Sequence, residues 1–149
     1  MTPQFIMTRF YFEATVWVPF VPAPLTMAIR PEAGDVTAPS SPQLEVADFV
    51  LQLPATFIES LQAPLISYML TTPIRVDKQR ILNHARVAQI LVPRLGASGK
   101  RYFFLLGSCD WEEEHGFEML FCGSQILSCG PQEGLYLNEA WKRYISGAA

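Results

Sequence analysis

A chain of 149 residues, half of them apolar, suits one globular domain that removes roughly 70% of its unfolded surface from water without a disulfide or metal staple. Its formal charge of −3, with eleven lysines and arginines thinly spread, excludes the positive field on which nucleic-acid binding depends. No stretch approaches the ~20 apolar residues of a membrane span, and the first seventeen residues, with Arg9 the one base and Glu13 interrupting the apolar run, lack the pattern of a secretory signal; the expectation is a cytoplasmic protein.

Residues 10–18 alternate, with Phe10, Phe12, Ala14, Val16 and Val18 on one face and Tyr11, Glu13, Thr15 and Trp17 on the other, which predicts a half-buried strand. The prolines at 19, 22 and 24 cannot continue a central ladder. Beyond them Leu25, Met27 and Ile29 share a face, so a first hairpin with a wide connection is expected. Residues 31–42 carry Gly34, Asp35, Pro39, Ser40 and Ser41, the chemistry of an exposed linker. Ser41 before Pro42 reads as a helix cap with proline in the first turn, and Leu44, Ala47, Asp48 and Leu51 follow at helical spacing. A second helix should begin near Pro54 and bury Phe57, Leu61, Leu65, Tyr68 and Met69, kinked or split by Pro64.

Asp77 can cap a short helical turn through Lys78, Gln79 and Arg80, after which the pattern becomes extended. Residues 87–92 and 101–108 flank the flexible tip Gly96-Ala97-Ser98-Gly99, and Tyr102 to Leu106 are apolar on both faces, the mark of a central strand covered on both sides. Residues 117–122 and 125–129 form a tight hairpin around Gly123-Ser124, ended by Gly130-Pro131. Asn138 would cap a closing helix bearing Trp141, Tyr144 and Ile145. The order predicts a single domain, residues 1–149, of α+β class: two layers, a mostly antiparallel sheet of about six strands, two helices between strands 2 and 3, and a C-terminal helix.

The three cysteines, Cys109, Cys122 and Cys129, are odd in number and lack zinc-site spacing. The hairpin would set Cys122 opposite Gln125 and Cys129 opposite Glu118, too far apart to join, so reduced, packed thiols are expected.

The chemistry concentrates in Cys109-Asp110-Trp111-Glu112-Glu113-Glu114-His115-Gly116, read as an ordered loop offered to solvent between two apolar strands. A metal is one use of Asp110, Glu112, Glu113, Glu114, His115 and Cys109, but adjacent ligands are awkward and the second histidine, His84, is remote in sequence; no metal or cofactor is expected. Crowded carboxylates suggest acid–base work, although on an exposed loop water and salt screen them. Cys109 as nucleophile with His115 as base would need a third group to orient the imidazole. Trp111 is either a binding anchor or a ring folded back over the sheet to pin the loop. Gly116 supplies a backbone angle closed to other residues.

This stretch resembles a family of small, mostly uncharacterised bacterial proteins that share a Cys-Asp-Trp-Glu run, a Glu-His-Gly triplet, a hairpin and a glycine before the final segment. Here those are Cys109, Asp110, Trp111, Glu112, then Glu114, His115, Gly116, and later Gly130 with Asn138; the match covers residues 87–144. The resemblance implies a cytosolic α+β domain like the immunity or accessory proteins encoded beside bacterial antagonistic toxins. The expected function is that of a non-enzymatic immunity protein whose partner is a cognate protein toxin, the toxin's active site being blocked by Asp110, Trp111, Glu112, Glu113, Glu114 and His115. The competing readings are a small metal-dependent or carboxylate-based hydrolase using Asp110, Glu114 and His115, and a structural or assembly module joining a partner sheet through Tyr11 and Trp17.

Overall fold

The computed structural model describes residues 3–8, 10–33, 37–137 and 140–145. Seven strands form one sheet in sequence order: β1 (Ile6–Met7), β2 (Phe12–Val16), β3 (Leu25–Ile29), β4 (Ala85–Val92), β5 (Tyr102–Cys109), β6 (Glu112–Cys122) and β7 (Gln125–Gly130). Neighbours are antiparallel except β3 and β4, which run parallel because the helical crossover returns the chain to the starting end of the sheet. The α+β class and the mostly antiparallel sheet agree with the sequence. The strand number does not: β1 is two residues long and pairs Ile6 with Glu13 and Met7 with Phe12, too short to show an alternation.

Helix α1 (Ser41–Leu51) starts from Ser40, one residue before the expected cap. The Ser40 hydroxyl accepts from the Gln43 backbone N–H while the Gln43 side chain accepts from the Ser40 N–H, a reciprocal box that satisfies two otherwise orphaned donors. Gln43 is fully buried and its Nε2 donates to the carbonyls of Arg30 (2.6 Å) and Pro93 (3.0 Å). It thereby pins the helix to the ends of β3 and β4. A 3-10 helix (Ala55–Leu61) then runs into α2 (Gln62–Met69). The break precedes Pro64 instead of falling on it, since a proline in a helix's first turn withholds an N–H that has no partner there anyway. Asp77 caps the 3-10 helix Lys78–His84 through the Gln79 N–H. Of the linker, Pro31 is buried, and the Glu32 carboxylate accepts from the Leu95 and Gly96 amides at 2.7 and 3.0 Å; this part is tied down, whereas Thr37 and Ala38 are exposed as expected.

The register divides the core. Phe103 and Phe121 stack in parallel on the face covered by the helices, where Phe49 and Phe57 meet them. Tyr102 and Phe104 point to the other face and meet Trp141 and Tyr136. The two-sided burial expected of residues 102–106 is thus explained: helices cover one side and the C-terminal segment straps the other. Arg30 fastens the strap by donating to the carbonyls of Tyr136 and Leu137. The expected closing helix is a short 3-10 helix, Ala140–Tyr144; its proposed cap, Asn138, lies outside the described residues. All three cysteines are free. Cys122 does face Gln125, but Cys129 faces Met119 and not Glu118, because a register shift beside Leu120 and Phe121 moves the pairing by one.

Under the strap lies Glu118, 2% exposed. One carboxylate oxygen accepts from the Leu135 N–H at 3.4 Å, and burial pushes its pKa up, against the lowering pull of the loop amides. A carboxyl whose folded pKa exceeds its unfolded one contributes stability that is fully present below the unfolded value and is lost as pH rises through the folded value. Glu118→Gln keeps an acceptor for Leu135 and removes that loss. Its melting temperature should therefore match the parent in acid and exceed it increasingly as pH rises, measured by thermal denaturation across a pH series.

Candidate functional site: a charged hairpin

The acidic run is not a loop. Asp110 and Trp111 are a two-residue turn closed by the Cys109–Glu112 pair, and Glu112 to His115 already belong to β6. The apolar strand pattern stops at Phe117, and the β5–β6 pairing jumps from Gly107–Phe117 to Cys109–Glu112 across a register shift, so the polar residues between have neither an apolar stripe nor a ladder partner on β5, which is why the sequence suggests a loop.

Each carboxylate has its own setting. His84, just ahead of β4, comes opposite Asp110: its Nδ1 lies 2.8 Å from Oδ2, and its carbonyl accepts from the Asp110 N–H at 2.9 Å. Arg86 approaches Oδ1 at 3.5 Å. The His84 hydrogen bond, helped by Arg86, holds the Asp110 carboxyl below the usual range. Glu112 folds back on its own strand, accepting from the Glu114 and His115 amides at 3.2 and 3.3 Å and meeting His115 Nδ1 at 3.0 Å. That contact lowers Glu112 and raises His115, so His115 tends toward the cation. Glu113 and Glu114 are exposed. Of the four carboxylates, Asp110 and Glu112 hydrogen-bond imidazoles, Glu114 adds its charge to the field at His115, and Glu113 and Glu114 face solvent.

Trp111 does not serve as an exposed anchor. It is 1% exposed and meets Tyr68 edge-on, ring centres 5.7 Å apart, while the Tyr68 hydroxyl donates to the Gly116 carbonyl at 2.7 Å. The ring folds back and fixes the turn, the second of the two roles expected for it. Gly116 has φ +62°, the left-handed angle the sequence assigned to it. Cys109 is buried, its thiol pushed up in pKa chiefly by desolvation and directed at the Glu112 carbonyl at 3.6 Å. His115 is engaged with Glu112, so a Cys109–His115 nucleophile pair does not form.

Glu112, Glu114 and His115 offer ligand atoms within 4.8 Å of one another, but all are accessible and Glu112 and His115 already satisfy each other. Asp110 turns instead to His84, so the Asp110–Glu114–His115 set of the hydrolase reading is not assembled. Beside the turn, residues 71–74 and 110–113 border an open groove of about 510 Å³, one of whose lining side chains, Ile74, is half exposed. Sequence reasoning missed the His84–Asp110 pair. Pairing the strands that flank the Gly96–Gly99 tip and extending the register to Ala85–Cys109 would have set residue 84 against 110.

A seven-stranded sheet with a helical layer on one face, a strap on the other and a charged hairpin at one end defines the class of domain. Residues 4–137 match the family described as a domain of unknown function, DUF6985, and the chain belongs to that family. No curated protein and no solved structure matches it.

Proposed function

We propose that this domain is a non-enzymatic binding protein that grips a basic protein surface through the β5–β6 hairpin and the groove beside it, in the manner of an immunity protein blocking a toxin's active site. The observation that carries the reading is the placement of Glu113 and Glu114, exposed on a strand of the main sheet, with Glu112 half-buried and the half-exposed Ile74 lining the groove. Apolar surface next to fixed charge suits a partner whose cations are steered in and whose apolar groups then seal the contact. The contact residues in this reading are Asp110, Glu112, Glu113, Glu114 and His115, with Trp111 acting from below as a brace. Buried Cys109 and the separation of Asp110 from His115 favour binding over catalysis.

The test is charge reversal at the two exposed positions. With the product of the adjacent gene as partner, Glu113→Lys with Glu114→Lys should slow association about 10-fold or more at low salt, the difference shrinking as salt rises, while the melting curve stays put. An unchanged association rate would remove the hairpin from the interface.

A second reading is favoured by the other end of the sheet. Edge strand β1 exposes Ile6 and Met7, and Phe10 and Trp17 nearby are 64% and 69% exposed, an apolar edge suited to pairing with another sheet. Tyr11, half-buried, contributes less than the sequence suggested. Sedimentation as a dimer, abolished by Trp17→Lys, would support assembly through this edge.

A further inference from the structure

The connection between β2 and β3, the helices Ala55–Leu61 and α2, and the start of β4 border a partly open cavity of about 420 Å³, distinct in its lining from the groove at the turn. Phe20 and Val21 of the connection and Leu61 and Leu65 of the helices form its walls, and Val87 and Phe117 reach it from the sheet. Gly107 pairs with Val87 on one side and Phe117 on the other; a Cβ there would fall 1.9 Å from the Arg86 carbonyl oxygen and 2.6 Å from the Phe117 ring, so the bare glycine leaves the room that the Phe117 ring uses.

Protein interiors pack as densely as organic crystals, with few voids larger than a water molecule. A carbon-lined space of this size gives water too few partners to order it, and its volume falls within the range of small-molecule sites, about 300–1,000 Å³. An occupant must therefore be mostly apolar. Asn83 and Arg86 are the polar residues of the lining. The Arg86 side chain is 65% exposed and its contact with Asp110 is 3.5 Å, longer than the ~2.7–2.9 Å of a charge-assisted hydrogen bond, which leaves the guanidinium able to engage a second anion.

We propose that this cavity binds a small amphiphilic carboxylate of the medium-chain fatty acid class, its chain among Phe20, Leu61, Leu65 and Phe117 and its carboxylate at Arg86. The proposal does not rest on the hairpin reading, although Arg86 also contacts Asp110. The experiment is calorimetric titration of the full chain with decanoate and, in parallel, with decanol. Decanoate should bind saturably at one site, and decanol at least 10-fold more weakly. Ala23→Trp, at an exposed position of the cavity wall, should weaken decanoate at least 10-fold without altering the melting temperature, and Leu65→Phe should do so from the interior. Arg86→Ala should bring decanoate down to the level of decanol. No saturable binding of decanoate, binding undiminished in Ala23→Trp, or decanol binding as tightly as decanoate would each overturn the proposal.

Discussion

Trp111→Ala is expected to destabilise the domain by about 3–5 kcal/mol, the range for removing a fully buried large aromatic side chain. The indole is closed from solvent and meets the edge of Tyr68, so its loss opens a cavity between the turn and α2 and also loosens the Tyr68 hydroxyl that holds the Gly116 carbonyl. The indole N–H has no hydrogen-bond partner among the described residues, a buried donor left unsatisfied. Trp111→Phe removes that donor while keeping most of the ring, and should cost distinctly less than the alanine change. Urea denaturation of both variants measures the difference. A binding anchor would behave in the opposite way, with Trp111→Ala leaving stability intact and weakening only a complex; that result would restore the exposed role.

Gly116→Ala should cost roughly 2–5 kcal/mol, from two separate sources. The left-handed angle, φ +62°, penalises a residue with a Cβ by ~1–2 kcal/mol, and the new Cβ would stand 2.1 Å from the Gly107 carbonyl oxygen, an overlap relieved only by moving backbone, at ~1–3 kcal/mol. Gly123 separates the two. It has φ +59° and no atom within 4 Å of where its Cβ would be, so Gly123→Ala carries only the conformational share. Equal losses for the two variants in parallel thermal melts would dispose of the overlap at residue 116.

The places where sequence and structure part have physical causes. Periodicity located β2, β3 and the buried face of α2 because one apolar side chain in two, or one in three or four, is all that a half-covered element needs. It failed at the acidic run because a strand end with both faces near solvent has no apolar stripe to reveal it; Glu112 pairs with Cys109 and Phe117 with Gly107, and the register shift between them leaves residues 113–116 bulged out of the β5 ladder, with the Glu114 and His115 amides turned to the Glu112 carboxylate. Ser40 was passed over as cap in favour of Ser41, although Gln43 three residues on completes the reciprocal bonding. The Glu118 burial could not be read, since Glu118 sits in an otherwise apolar run and its neighbour Leu135 is seventeen residues away. The site residues stand out as a group in the sequence, but the pairing of Asp110 depends on His84 and Arg86, which only strand register brings near.

The parallel junction of β3 with β4 has a consequence for the chain as it leaves the ribosome. β1 to β3 emerge first and can pair with one another, yet the outer edge of β3 must wait while residues 30–84 are synthesised before its neighbour exists. From β4 onward each strand finds its partner as soon as a short turn has formed. The nascent domain therefore carries an open hydrogen-bonding edge, flanked by Met27 and Ile29, through more than a third of its synthesis, and Gln43, anchoring Arg30 and Pro93 at once, is the bolt that can slide home only when both halves are present.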